Sequence, residues 1–60
     1  MSINKVNRIV LTTDSRGAIR ANLMHDTQVV VSYVVYNMSE LVQFINDNNF
    51  TRLTRGIYVR

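Results

Sequence analysis

An eight-residue stretch, Val29 to Tyr36, reads VVVSYVVY: β-branched and aromatic residues interrupted only by Ser32. Such side chains fit the pleated surface of a sheet. Because successive strand residues point to opposite faces, this strand is apolar on both, and any fold that contains it must cover both faces or leave one open. The chain has 60 residues, and a domain of that size hides only about 60% of the surface its unfolded form exposes. Residues 1–60 therefore make a single small domain, and a second core is excluded.

No covalent staple stabilises it. The sequence contains no cysteine, which removes disulfides and thiolate metal sites, so packing and assembly carry the stability. With 47% apolar and 18% charged residues, the chain is too hydrophobic for a disordered tail and lean in the charges that solvate a surface. Seven Lys and Arg against four Asp and Glu give a net charge of +3, which permits an anionic partner without requiring one. No apolar run approaches the ~18 residues of a membrane span, and no secretory pattern is present. The expectation is a soluble, cytoplasmic protein with no membrane association.

Lys5 to Thr13 is rich in Val, Ile, Leu and Thr, and Ala18 to Met24 alternates apolar with polar, the period of a half-buried strand. Between them, Asp14-Ser15-Arg16-Gly17 suits a type I turn followed by a left-handed glycine, a three-residue hairpin loop. That loop sets Asp14 opposite Ala18, Leu11 opposite Ala21 and Ile9 opposite Leu23, so the apolar partners share a face. A two-residue turn at Asp26-Thr27 then carries the chain into Val29–Tyr36. Counted from that turn, Leu23 faces Val30 and Ile19 faces Val34, which aims Val30, Ser32, Val34 and Tyr36 at the core and Val29, Val31, Tyr33 and Val35 away from it.

Asn37 caps a helix whose Met38, Leu41, Val42 and Ile45 recur at helical spacing with Phe44 beside them, and Asn46-Asp47-Asn48-Asn49 ends it. Thr51 to Arg60 alternates again as a last strand, with Leu53, Ile57 and Val59 on one side and Arg52, Thr54, Tyr58 and Arg60 on the other; Gly56 marks either a bulge within it or a tight turn, and the sequence leaves open whether the strand is split there. The fold class is α+β: a small antiparallel sheet in the order β-β-β-α-β, with one helix packed on one face.

One short helix covers one face of a sheet. The face away from it is expected to carry Val10, Met24, Val29, Val31, Tyr33 and Val35. At ~1.5–3 kcal/mol for each such side chain removed from water, leaving six exposed forgoes more than a small domain spares. Contiguous apolar surface of this kind marks an interface, and the simplest partner is a second copy of the chain.

Catalytic chemistry is thin. The one histidine, His25, stands beside Asp26 at a hairpin, where turn structure explains both; Asp14, Glu40 and Asp47 fall in a turn, a cap and a helix end. No catalytic residue, no metal site and no cofactor is assigned. Six of the seven basic residues are arginine, the side chain suited to bidentate phosphate contacts and to stacking on bases. Arg8, Arg16, Arg20, Arg52, Arg55 and Arg60, with Tyr58, form a candidate nucleic-acid surface. An arginine rim around an apolar patch equally suits a protein interface.

Two functions follow. The first is a non-enzymatic interaction protein, a homodimer through the face centred on Val31 and Tyr33, that occupies the surface of a larger host protein as an inhibitor or adaptor, in the manner of a phage or mobile-element product. The second is a dimeric nucleic-acid-binding regulator using its arginine-rich sheet.

Overall fold

Turn chemistry fixes the first hairpin. In the computed structural model, which describes residues 5–60, β1 (Arg8–Thr13) and β2 (Ile19–His25) pair antiparallel with Leu11 opposite Ala21 and Ile9 opposite Leu23. Asp14 Oδ1 accepts hydrogen bonds from the amides of Arg16 and Ala18, the Asp14 amide donates to Ala18 O, and Gly17 adopts a φ of +81°. That is the expected three-residue loop, with glycine at the left-handed position.

The next hairpin departs from its expected register. β3 (Gln28–Val34) leaves a two-residue turn at Asp26-Thr27, with His25 opposite Gln28 and Met24 opposite Val29. The register then shifts by one residue, so that Leu23 faces Val31, Ala21 faces Tyr33 and Arg20 faces Val34. Val30 is the extra residue of a β-bulge. Val31, Tyr33 and Val35 are thereby placed on the same face as the core residues Ala21 and Leu23, and Ser32 and Val34 turn to the other face. Reciprocal bonds tie the turn to the segment ahead of β1: Asn7 Nδ2 donates to Asp26 Oδ1, and the Asp26 amide donates to Asn7 Oδ1.

Helix α1 (Met38–Asp47) starts where Asn37 Oδ1 accepts from the amides of Ser39 and Glu40. It ends in a Schellman arrangement, Phe50 N–H to Ile45 O and Asn49 N–H to Asn46 O, with Asn49 at φ +61° where glycine is usual. The chain then enters β4 (Thr51–Thr54) and β5 (Ile57–Val59), split by a turn at Arg55-Gly56. Gly56 takes a φ of +79°, and a second bulge between Arg52 and Thr54 sets Thr54 opposite Ile57, away from the face of Arg52 and Tyr58.

The sheet order is β3-β2-β1-β5-β4, antiparallel throughout. The helix carries the chain from one edge to the other, and the core forms beneath it from Val6, Ile9, Ala21, Leu23, Leu41, Ile45 and Phe50. Phe44 and Phe50 stack with ring centroids 6.4 Å apart. A ten-residue helix is about 15 Å long, less than the ~19 Å between the outer strands of a five-stranded sheet. Part of the helix face therefore stays open too.

Candidate interaction surface

Strand pairing arranges the face away from the helix in rows. One row runs Val29, Met24, Arg8, Val59 and Thr51 from β3 to β4; the next runs Ser32, Asn22, Val10, Ile57 and Thr54; the third runs Val34, Arg20 and Thr12. No described element packs over these rows. Val10, Met24, Val34, Ile57 and Val59 are half-buried by their neighbours, and Val29 is 55% exposed.

Three of the six expected interface residues, Val10, Met24 and Val29, lie here. The other three do not: the bulge at Val30 moves Val31, Tyr33 and Val35 to the helix face, where Val31 and Val35 pack against the core. In their place the face gains Ile57, Val59 and Val34. The alternation of Ile57 and Val59 is visible in the sequence, but nothing in it indicates that they pair alongside β1.

A polar seam crosses this face. Asn22 Nδ2 donates to Val10 O and Thr12 Oγ1, Ser32 Oγ donates to Asn22 Oδ1, and Arg20 Nε lies 3.4 Å from Ser32 Oγ. The rows contain two charges, Arg8 and Arg20, and no carboxylate. The face therefore combines apolar surface with a positive potential, which suits a partner presenting apolar groups and carboxylates.

The arginines separate by position. Hairpin geometry brings the β1–β2 turn, the β4–β5 turn and the start of α1 to one end of the sheet, since the Leu11 amide donates to Gly56 O and the Val35 amide to Ile19 O. Arg16 and Arg55 fall in the turns at that end, whereas Arg20, opposite Thr12, is on the uncovered face and Arg52, opposite Tyr58, is on the helix face of the far edge strand, so the four do not gather on one surface. Arg52 and Arg55 border a groove of about 550 Å³ whose lining includes Leu11, Ile19, Met38 and Tyr58. Arg8 lies at the opposite end.

Arg60 has a structural position: Nε donates to Val6 O at 2.9 Å, Nη1 donates to Asn48 O at 3.0 Å, and the guanidinium sits 4.7 Å from the Phe50 ring centroid. Tyr58, opposite Ile9, packs against the core. Tyr58 also lines the groove bordered by Arg52 and Arg55, whereas Arg60 does not.

His25 is exposed, with Nδ1 against Lys5 O and Nε2 3.5 Å from Asp26 Oδ2. No group of three or more His, Cys, Asp or Glu gathers among the described residues, and no helix there is long and apolar enough to cross a membrane. A second cleft, of about 350 Å³, opens between the end of β3 and the helix, lined by Tyr33, Val35, Tyr36, Glu40, Leu41 and Phe44 among others. Comparison with protein-family models, with curated proteins and with solved structures returns no match.

Proposed function

We propose that the protein is a non-enzymatic interaction protein whose uncovered sheet face occupies a surface of a larger protein. The observation that carries this reading is the composition of that face: valine, isoleucine and methionine side chains on four adjacent strands, with Arg8 and Arg20 as its charges. An inhibitor or adaptor of this kind acts by steric occupancy and needs no reactive group.

The test is affinity capture, from the cells that make the protein, with the wild-type chain and with Val29→Glu and Arg8→Glu baits. A discrete protein retained by the wild type and lost with both variants supports the reading; equal recovery with all three baits contradicts it. The variants sit on exposed positions, so circular dichroism should show them folded.

A second reading, a dimeric nucleic-acid-binding regulator, draws on Arg52 and Arg55, which border one groove together with Tyr58. It predicts retention of an oligonucleotide that falls steeply between low and moderate salt. Binding through the apolar face is far less salt-dependent.

A further inference from the structure

The two edges of the sheet differ. β4 has four residues, includes Arg52 and is kinked by its own bulge, features that discourage pairing with another chain. β3 has seven residues, QVVVSYV, without charge or proline, and pairs on one side only. Its bulge lies at Val30, close to the turn, and leaves the segment from Val31 onward regular.

The hydrogen-bond phase of that segment is fixed. The Val35 amide donates to Ile19 O, and since residues of an antiparallel strand alternate in which neighbour they bond, Val35, Tyr33 and Val31 address β2. Ser32 and Val34 direct both amide and carbonyl outward, to the open edge.

We infer that this edge pairs with the β3 edge of a second copy, about a two-fold axis at Tyr33, to make a continuous ten-stranded sheet. That axis sets Ser32 of one copy opposite Val34 of the other, two outward-directed residues exchanging both hydrogen bonds. On the helix face it sets Tyr33 beside Tyr33, and Val31 beside Val35 twice over, so every cross-strand pair on that face is apolar. Tyr33 is 38% exposed in the single chain, and this neighbour shields it.

Charge permits a second copy here. Each chain has a net charge of +3, yet β3 has none, and the sheet order puts Arg52 and Arg55 at the far edge. Two copies meeting through β3 hold those charges apart, and the charge nearest the seam is Arg20, on the uncovered face with its Nε 3.4 Å from Ser32 Oγ. The pairing also joins the two uncovered faces into one surface, although it stands or falls independently of what that surface binds.

The experiment combines light scattering after size exclusion with residue-resolved amide exchange. The wild type should have twice the 6.9 kDa chain mass, with Ser32 and Val34 amides protected at concentrations that give the dimer and released on dilution. Val34→Pro removes an outward amide at an edge position where proline is tolerated, and Tyr33→Asp sets two like charges side by side; both should be folded monomers. A monomer at all accessible concentrations, protection of these amides only after a different protein is added, or a dimer in which they exchange freely overturns the inference. The wild-type exchange pattern decides the matter even if a variant fails to fold.

Discussion

Replacing Arg60 distinguishes an arginine that holds the fold from one that holds a ligand. Its Nε bond to Val6 O is part-buried and falls at the low end of the range for a charged donor, about 1.5 kcal/mol. The bond to Asn48 O is exposed and adds little, whereas the guanidinium over Phe50 contributes about 0.5–1 kcal/mol. Arg60→Ala should therefore cost about 2 kcal/mol, out of the ~3–9 kcal/mol expected for a domain of this length. The corresponding drop in Tm is about 8–16 °C. Arg60→Lys keeps the charge but cannot span two carbonyls or lie flat on a ring, so it should recover less than half of the loss. Urea unfolding followed by circular dichroism measures both variants. An Arg60→Ala protein as stable as the wild type, with a shallower salt dependence of oligonucleotide binding, would refute the structural role and return Arg60 to the phosphate-binding set.

Two further substitutions test the frame. Ile9 is fully buried, so Ile9→Ala should cost about 2–5 kcal/mol and leave the chain largely unfolded, while Ile9→Val, at about 0.5–1.5 kcal/mol, should stay folded with a lower urea midpoint. Asp14→Ala removes the acceptor of two turn amides and should cost about 1–2 kcal/mol in the same assay, with Asp14→Asn recovering most of it through its remaining carbonyl oxygen.

Local chemistry explains why the first hairpin was legible and the second was misread. Asp14 and Gly17 specify one loop, and Ile9, Leu11, Ala21 and Leu23 alternate with polar neighbours, so turn and pattern agree on one register. The cap at Asn37 and the stop at Asn49 are also local. In the second hairpin the turn at Asp26-Thr27 is where the sequence places it, but Val29, Val30 and Val31 are identical in chemistry. Three successive valines contain no alternation to pin a register, and a one-residue slip changes the face of every residue beyond it. The β5–β1 pairing was not readable for a different reason: it joins segments nearly fifty residues apart, and neither contains a signal for the other.

One signal for the bulge was present. An unbulged strand leaving the same turn sets Ser32 opposite Ala21, which is fully buried, and a hydroxyl enclosed there without a partner costs about 1–3 kcal/mol. It also turns Tyr33 and its flanking valines to water. The extra residue at Val30 leaves one position of the ladder unpaired, yet it brings Ser32 opposite Asn22, where the two side chains are hydrogen-bonded. Val30 and Val31 both pack against the core, so the inserted residue is not lost to solvent. Matching serine to asparagine across the strands, rather than counting outward from the turn, selects the observed register. It also redistributes the apolar surplus of Val29–Tyr36. Val29 stays with the uncovered face and its arginines, while Val31, Tyr33 and Val35 border the open edge on the helix side. The two surfaces that remain open in a single copy thus differ in kind, one a face that joins apolar side chains to Arg8 and Arg20 and the other an uncharged strand edge, which is why the first is proposed to receive a foreign protein and the second another copy of the chain.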